Sequence, residues 1–557
     1  MTRRHFASLG LLALTAFPMG WALLSAIAQA WNIAAWLDLS SQSQLIPAVV
    51  MTVWTGLAAT GISVLITSFL LSSVFPGAGW QRLVRFLGPL LAVPHVAFAV
   101  GLIALIAPSG WLVRLFSPWL TGHTAPPAWL TTQDPWGMGL IAVLVFKEVP
   151  YLLWSAAAQL QRPDVSQRLG RELVIARSLG YAYQRAWWRI IWPQIGSRLL
   201  WPVLAVFAYS LTVVDVAMLI GPSSPPTLAV LSWTWLADSQ TSQNAVGAAA
   251  AWLLAILLLA CGAIAGIIHR LSFWRIRWSN GNRGLPGGPL ETSPSHTARP
   301  QPGKPRGRTG SLFVGMVTLY AMVMVALGLG SMSGIWTFPA LWPQTLTSGA
   351  WLSVAGSFST VGVTLTLGLA SSLTALLWAV AWLEIAPAEW DARLRRFIYL
   401  PLVLPSVLWV IGLHGLSLNW GLDGQWSGVW LAHSLAVLPY VVIALSPAFL
   451  GFDNRYRQVS AAMGKTKWVF LWQVKWPLLK AALTSAAAVG FAVSVAQYLP
   501  TLYVGAGRYA TVTTEAVNLA AGAQRSLTSA YALLQWLLPV IGFMLAAWTG
   551  RARRFVP

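Results

Sequence analysis

The sequence predicts an all-α integral membrane protein whose roughly twelve membrane-spanning helices form two tandem halves of six. The first observation is composition, since 57% of the 557 residues are hydrophobic, only 9% are charged and the mean hydropathy is +0.66. These values are typical of chains that reside in lipid. The second is a series of apolar stretches close to the ~20 residues that cross a bilayer core. The third is a short polar segment that occurs twice.

The apolar stretches are each predicted to form a spanning helix, because a helix satisfies its own backbone hydrogen bonds in lipid. They cover residues 6–28, 46–74, 87–107, 138–160, 199–220, 245–268, 311–331, 351–383, 398–416, 428–450, 481–501 and 526–549. The first follows Arg3 and Arg4 and ends Ala28-Gln29-Ala30, which resembles a secretory signal. Its apolar run is longer than that of a signal, so we expect it to remain as the first helix.

The net charge of +21 follows the predicted spans. With the N-terminus in the cytoplasm, every Lys and Arg except Arg114, Lys147, Arg508 and Arg525 falls in a segment on the cytoplasmic side. An excess of basic residues on that side is the positive-inside rule. Both termini are therefore predicted to be cytoplasmic, and the charge does not indicate a nucleic-acid partner.

A composition change divides the chain. Residues 271–310 are rich in Gly, Pro and basic residues and cannot bury enough apolar surface to fold alone. We interpret them as a cytoplasmic linker between a first domain, residues 1–270, and a second domain, residues 311–557.

The duplicated segment precedes the fifth span of each half. We call residues 174–193 the first elbow and residues 458–477 the second elbow. Four identities occur at a constant offset of 284: Gly180 with Gly464, Trp188 with Trp472, Trp192 with Trp476, and Pro193 with Pro477. The pattern predicts a helix, a glycine break, a second helix and a proline that opens the next span, since proline is tolerated at the first helical position.

Other matches support a parallel repeat of two halves. Residues 82–86, Pro94 and Gly101 match residues 393–397, Pro405 and Gly412 at an offset of 311. Pro150-Tyr151 matches Pro439-Tyr440 at an offset of 289. Proline removes an interior helical hydrogen bond, so Pro94 and Pro405 are predicted to kink the third span of each half.

This arrangement resembles the permease subunit of a binding-protein-dependent ABC importer, in particular the fused two-domain permeases of the iron(III) and thiamine importer group. The stretch 497–514 is similar to the corresponding part of the YnjC-type permeases. The resemblance implies a multi-pass protein of the bacterial inner membrane that forms the pathway for a small-molecule substrate. It also implies two ATP-binding cassette ATPase subunits, a periplasmic solute-binding protein and membrane lipid as partners.

In the resembling family the elbow is a coupling loop that docks into a groove on the ATPase. By position, the resemblance assigns this role to Ala176, Gly180, Trp188, Ile190, Trp192, Pro193, Ser460, Gly464, Trp472, Val474, Trp476 and Pro477. The chain departs from the family at the usual Glu-Ala-Ala, which is replaced by residues 174–176 (Val-Ile-Ala) and 458–460 (Gln-Val-Ser). We therefore expect docking to depend on apolar and basic groups.

The chain is expected to hold no catalytic site, metal or cofactor of its own, with ATP bound by the partner subunit. Gly464-Lys465-Thr466 resembles the end of a phosphate-binding loop, but Val459 occupies the position that requires glycine. The seven histidines show no metal-ligand spacing.

Polar residues inside spans are costly and commonly face a cavity or a partner. Those predicted to line the pathway are Asp215, Gln497, Glu148, His95 and Ser406. The alternative for each is a contact with a neighbouring helix, such as an ion pair for Glu148. Lys147 adjoins Glu148, but consecutive helical residues point about 100° apart and pair poorly.

A second hypothesis is an ion-coupled secondary transporter of six-plus-six topology, for which Glu148 and Asp215 could couple ions. That hypothesis does not explain the duplicated elbow. An intramembrane enzyme is a third possibility that lacks a catalytic constellation. The sequence does not choose a substrate among an iron chelate, thiamine, a polyamine and an organic anion.

Overall fold

The computed structural model describes residues 3–75, 78–160, 163–271, 307–387, 390–391, 398–399, 402, 404–522 and 524–550. The predicted linker lies almost wholly outside the described residues, and so does the repeat match at residues 393–397. The described residues form helices joined by loops.

The first half contains fourteen described helices and one π-helical turn. They are α1 (Arg3–Ala30), α2 (Ile33–Ser41), α3 (Leu45–Val74), α4 (Ala78–Leu91), α5 (His95–Ile106), α6 (Trp111–Phe116), α7 (Met138–Leu160), α8 (Pro163–Ser178), α9 (Tyr183–Ala186), the π-helical turn Trp187–Ile191, α10 (Trp192–Arg198), α11 (Leu200–Thr212), α12 (Asp215–Ile220), α13 (Leu228–Leu236) and α14 (Thr241–Arg270).

The second half repeats this order. Its described elements are α15 (Gly307–Ser331), α16 (Gly349–Gly356), α17 (Phe358–Ile385), α18 (Ser406–Asn419), α19 (Trp426–Leu450), α20 (Arg455–Ala462), α21 (Lys467–Phe470), the π-helical turn Leu471–Lys475, α22 (Trp476–Leu478), α23 (Lys480–Val495), α24 (Leu499–Val504), α25 (Val512–Ala520) and α26 (Arg525–Gly550).

The count of spans agrees with the all-helical membrane fold. Among the described residues, nine helices are long and apolar enough to cross a membrane. Two bent pairs, Tyr183–Arg198 with Leu200–Thr212 and Lys467–Leu478 with Lys480–Val495, bring the total to eleven. The shorter apolar helix α18 corresponds to the remaining predicted span. All twelve predicted stretches therefore have a helical counterpart.

The third span of the first half differs from its prediction. Residues 87–107 do not form one kinked helix, because α4 ends at Leu91 and a new helix begins at His95. Pro94 is the N-cap residue of α5, with an extended backbone, and Pro405 has the same place before α18. Proline has no amide hydrogen to offer a preceding turn, so it begins a helix here rather than bending one.

The fifth span of each half is broken as well as bent. A bend of 63° precedes α11, and a bend of 71° precedes α23. The predicted stretch 199–220 then breaks at residues 213–214, between α11 and α12, and the stretch 481–501 breaks at residues 496–498, between α23 and α24. We call these the first break and the second break.

The first helix of each half packs against the other half. Helix α1 packs on α18 and α17, whereas α15 packs on α5. The repeated glycines lie at these contacts: a Cβ at Gly101 would overlap Val323 of α15, and one at Gly412 would overlap the backbone of Ala22 of α1. Close backbone approach at small residues is a usual means of packing helices in lipid. The first helix of each half is thereby exchanged, since it packs on helices of the other half.

A second repeated contact joins span two to the helix that follows span five. The Thr52 hydroxyl accepts a hydrogen bond from the amide of Leu228, the first residue of α13, at 2.7 Å. The Thr364 hydroxyl accepts one from the amide of Val512, the first residue of α25, at 2.9 Å. Each contact satisfies an amide that its helix leaves unpaired at the N-terminus.

Arg114 ties the halves together at the end of the spans opposite to the elbows. It is 5% exposed, and its guanidinium donates to the carbonyls of Trp336, Thr337 and Ala340 at 3.2, 2.9 and 2.7 Å. Its charge also lies 4.9 Å from the centre of the Trp336 ring. A buried arginine is stable here because several hydrogen bonds compensate its desolvation.

We predict that Gly412→Ala destabilises the purified protein by about 1–3 kcal/mol, because the added methyl group overpacks the contact between α18 and α1. Thermal unfolding in detergent measures the effect. Gly262→Ala in α14 is the matched control, since nothing lies within 4 Å of its Cβ position. Equal stability of the two variants would contradict the proposed close contact.

Candidate functional site

Both elbows turn at a glycine of the same conformation. Gly180 and Gly464 have φ of +86° and +72°, a region that other residues enter at a cost of about 1–2 kcal/mol. The amides of Gly180 and Tyr181 donate to the carbonyls of Arg177 and Ala176 at 3.0 and 3.1 Å. This pair of bonds is a Schellman motif, which ends a helix by satisfying its last carbonyls.

The second elbow repeats this motif in register. The amide of Gly464 donates to the Ala461 carbonyl at 2.9 Å, and that of Lys465 donates to the Ser460 carbonyl at 3.1 Å. No heavy atom lies within 4 Å of a Cβ built at either glycine. The requirement for glycine is therefore conformational and not steric.

A π-helical turn follows in each elbow, immediately before the Trp-Pro pair. The Trp192 amide donates to the Trp187 carbonyl, five residues earlier, and the Trp476 amide donates to the Leu471 carbonyl in the same way. The following proline has no amide hydrogen and would clash with the carbonyl four residues earlier in an α-helix. The wider π-helical turn accommodates it.

The prediction that Pro193 and Pro477 open the fifth spans is wrong. They begin the short helices α10 and α22, and the spans start only after the bends at Leu199 and Leu479. The bend separates the short helices of each elbow from the helix that follows them. In each elbow the two tryptophans meet edge to face, with ring centres 5.9 Å apart for Trp188–Trp192 and 4.6 Å apart for Trp472–Trp476.

Two of the side chains that the family pattern indicated do not face outward. Ala176 and Ser460 are buried, 1% and 7% exposed, so their side chains do not face an approaching partner. Sequence reasoning missed two exposed apolar pairs that match at the elbow offset of 284. They are Ile175 with Leu179 and Val459 with Met463, between 57% and 71% exposed. Their signal was an apolar pair four residues apart, directly before each elbow glycine, that recurs at the elbow offset.

The remaining predicted elbow residues are distributed between the two surfaces. Trp188, Ile190, Trp192, Pro193, Val474 and Trp476 are half-buried, whereas Gly180, Gly464, Trp472 and Pro477 are exposed. An open groove of about 670 Å³ lies at the second elbow, lined by Tyr456, Val459, Met463 and Val474 among others. Asp453, Arg455 and Lys465 contribute charge to its lining. The groove is thus an apolar surface with a mainly basic edge.

Polar contacts fix the helix before the first elbow. Glu172 accepts a hydrogen bond from the Gln194 amide at 2.5 Å and pairs with Arg168 at 3.5 Å. Arg168 also donates to the Gln194 side chain at 2.6 Å. These contacts join α8 to α10. The single acid near the first elbow is therefore engaged within the chain.

The second elbow is anchored by an ion pair. Lys475 Nζ lies 2.8 Å from Glu384 Oε1 at the end of α17, and the two side chains are 13% and 11% exposed. The ammonium also lies 4.8 Å from the centre of the Phe449 ring. The matching residue of the first elbow is Ile191, which is completely buried. There Tyr183 donates instead to the Phe75 carbonyl.

Inside the spans, the structure brings three of the predicted polar positions together near the first break. His95 Nε2 lies 3.3 Å from Glu148 Oε1, and its ring centre is 4.8 Å from that of Tyr209. Asp215 is the first residue of α12 and lies within electrostatic range of His95. Glu148 thus has a partner on another helix, which is the alternative that the sequence left open.

Lys147 points away from Glu148. Its ammonium donates to the carbonyls of Leu90 at 3.3 Å and Val93 at 2.5 Å. These carbonyls lie at the end of α4, where the chain breaks before Pro94. A cation at a helix C-terminus is favourable because the last carbonyls are unpaired. Lys147 therefore has a structural contact that sequence spacing could not reveal.

Gln497 and Asp215 both lie at breaks, but they do not occupy equivalent positions in the two halves. Helices α12 and α24 begin at Asp215 and Leu499, so the elbow offset of 284 continues through the break. The side-chain amide of Gln497 donates to the Val493 carbonyl at 3.3 Å. Ser406 donates to the carbonyl of Thr212 at 3.4 Å, which satisfies the end of α11 from the other half.

Comparison with known proteins decides the family. The chain is 34% identical over 538 residues to the inner membrane ABC transporter permease protein YnjC of Escherichia coli (strain K12), covering 96% of this chain and 94% of the relative. This chain belongs to the ABC importer permeases. Residues 371–555 of the permease match the family described as binding-protein-dependent transport system inner membrane component. It is thus a multi-pass inner-membrane protein of a family of transporters, not of enzymes.

Shorter similarities extend to other importers. The thiamine transport system permease protein ThiP of Salmonella typhimurium is 28% identical over 217 residues, 35% of this chain and 38% of that protein. The molybdenum transport system permease protein ModB of Mycobacterium tuberculosis is 32% identical over 127 residues, 21% of this chain and 48% of that protein. The permease therefore resembles proteins named for chemically different solutes.

We predict that Glu384→Ala lowers the free energy of unfolding of the permease by about 3–5 kcal/mol, with the loss located at the second elbow. The substitution leaves the Lys475 ammonium buried without its partner. Thermal unfolding and limited chymotryptic cleavage within residues 458–477 measure the effect. The double variant Glu384→Gln with Lys475→Met should recover much of the loss. Lys480→Met, at an exposed lysine, is the control; if it matched Glu384→Ala, the ion pair would have no special role.

Proposed function

We propose that the two elbows are the docking sites for two separate ATP-binding cassette ATPase subunits, through which ATP binding and hydrolysis drive the permease. The observation that supports this most strongly is the repetition of the whole device: Schellman turn, π-helical turn and exposed apolar pair recur at an offset of 284. A lipid-bound amphipathic helix requires only an apolar face and not a fixed turn geometry.

Docking is proposed to depend on apolar contact rather than on a carboxylate. Glu172 is engaged with Arg168 and Gln194, and the second elbow has no acid in the corresponding helix α20. The exposed pairs, Ile175 with Leu179 and Val459 with Met463, offer the apolar surface that a groove on a partner would cover. Basic residues that line the groove at the second elbow favour an acidic edge on that partner.

The remaining partners follow from the predicted orientation of the chain in the membrane. With both elbows and both termini in the cytoplasm, a periplasmic binding protein would deliver a small solute to the opposite face. ATP would be bound by the ATPase subunits, and the permease itself would hold no cofactor. Because both halves are in one chain, one permease would serve two ATPase subunits.

The pathway is proposed to run between the halves, along the broken fifth spans. Tyr209 and Asp215 from the first half lie within electrostatic range of Tyr440 and Tyr498, respectively, from the second half. Backbone irregularities at membrane depth commonly border substrate sites in transporters.

We predict that the double substitution Val459→Asp and Met463→Asp reduces ATPase recovery by tenfold or more when tagged permease is purified from its native membranes, because the new charges must be desolvated on docking. The measurement is ATP hydrolysis and ATPase stoichiometry in the purified complex. The corresponding double variant of Ile175 and Leu179 should have the same effect at the other elbow.

Gln458→Asp is the matched control, because it adds one charge to an exposed position of the same helix. Its ATPase recovery should equal that of the unchanged permease. Docking through the apolar pairs would be rejected if the control lost ATPase recovery, or if the double variants retained it. Transport that follows the proton gradient with no ATPase attached would favour the ion-coupled alternative.

A further prediction concerns the pathway. Asp215→Asn is expected to lower uptake by about tenfold or more, since a lost contact of about 1.4 kcal/mol changes binding tenfold. Uptake of the solute that co-purifies with the binding protein can be measured in vesicles by mass spectrometry. Asp238→Asn, at an exposed acid outside the spans, is the control and should leave uptake unchanged; equal losses would contradict a pathway role for Asp215.

A further inference from the structure

A buried histidine bridges the second break. His433 lies on α19 and is 1% exposed. Its Nδ1 is 2.7 Å from Ser494 Oγ, in the last turn of α23, and its Nε2 is 2.8 Å from Thr501 Oγ1, in the first turn of α24. One side chain from a neighbouring helix therefore contacts the chain on both sides of the break. We call this contact the His433 bridge.

A neutral imidazole satisfies every member of the bridge. The Nε2 hydrogen is donated to the Thr501 hydroxyl, which donates its own hydrogen to the Gln497 carbonyl at 3.0 Å. The Ser494 hydroxyl donates to Nδ1 and accepts from Ser371 on α17 at 3.0 Å. The resulting chain of hydrogen bonds fastens α17, α19, α23 and α24 together.

The first half contains an incomplete copy of this network. The offset of 284 pairs Ser494 with Ser210, and it pairs Thr501 with Ala217. The offset of 289, supported by the matching Pro-Tyr pairs, places Leu144 where the second half has His433. The first half therefore has the serine, but neither the histidine nor the threonine.

The missing partner leaves a polar group unsatisfied. Ser210 is 3% exposed, and its hydroxyl has no hydrogen-bond partner among the described residues. Leu144 is completely buried and offers no polar atom. A buried hydroxyl without a partner raises the free energy of the observed arrangement around the first break, and hydration on local opening relieves that cost.

We propose that His433 is a positioning residue that fixes the second break, and that the first break is the one that opens. The broken fifth span of the second half is then a rigid wall of the pathway, while α11 and α12 move about residues 213–214. Asp215 begins the moving helix. The link to transport rests on the proposed permease pathway, but the difference in local opening stands without it.

Hydrogen exchange tests this difference directly. The full-length permease in lipid nanodiscs is exchanged without nucleotide or partner, and the matched segments 206–220 and 490–504 are compared by mass spectrometry. We expect amides around the first break to exchange about tenfold faster or more, because local opening governs exchange. Equal protection of the two segments would overturn the proposal.

Two reciprocal variants assign the cause. His433→Leu should raise exchange in 490–504 toward that of 206–220, whereas Leu144→His with Ala217→Thr should lower exchange in 206–220. His433→Gln, whose amide offers both a donor and an acceptor, should restore much of the protection. A segment in α14, residues 245–268, should be unchanged in all variants, which separates a local effect from general destabilisation.

Thr501→Val removes one contact at nearly constant shape and serves if His433→Leu does not fold. Unchanged exchange in 490–504 for this variant, or for folded His433→Leu, would overturn the role of the bridge. Because no ATPase takes part, failure of elbow docking leaves these outcomes interpretable. Conversely, intact docking with equal exchange at the two breaks would reject only the unequal opening.

Discussion

A helix that is broken inside a membrane must satisfy the backbone groups that the break releases, because lipid offers no hydrogen bonds. This constraint explains several of the polar contacts between the spans. Lys147 contacts the carbonyls released before Pro94, and Ser406 contacts the carbonyl that ends α11. The Thr52 and Thr364 hydroxyls accept hydrogen bonds from the first amides of α13 and α25. At each of these places a side chain of another helix pairs a backbone group at a helix end.

The repeat offsets predicted the two halves and the place of both elbows, and the apolar stretches predicted the number of spans, since apolar length and paired glycines are local signals. They could not predict that α1 and α15 exchange between halves, because a periodic match identifies equivalent residues and not their partners. Gly101 and Gly412 marked that exchange, but glycine in an apolar stretch equally allows a bend. The contact of Lys147 was beyond prediction for a related reason: backbone carbonyls have no sequence signature.

At the elbows, the sequence predicted the turn better than the surface. Gly180 and Gly464 are required by backbone conformation, which a pattern can record. Ala176 and Ser460 matched the family by position, yet they are buried beneath the turn, and the outward face belongs to their neighbours Ile175 and Val459. One residue of displacement along a helix rotates a side chain by about 100°, so positional analogy alone does not fix the face.

The features that recur in both halves and those that differ fall into two physical classes. Turns, helix caps and glycine contacts recur, because each satisfies backbone that the shared fold exposes. Side-chain attachments differ between the halves: Lys475 with Glu384 and the network around His433 occur in the second half. Glu172 with Arg168 and Gln194, and Tyr183 with the Phe75 carbonyl, occur in the first half. Our proposal attributes to the network around His433 a firmer hold on the second break than the first break has. Two halves of one chain can share a fold while differing in such side-chain attachments.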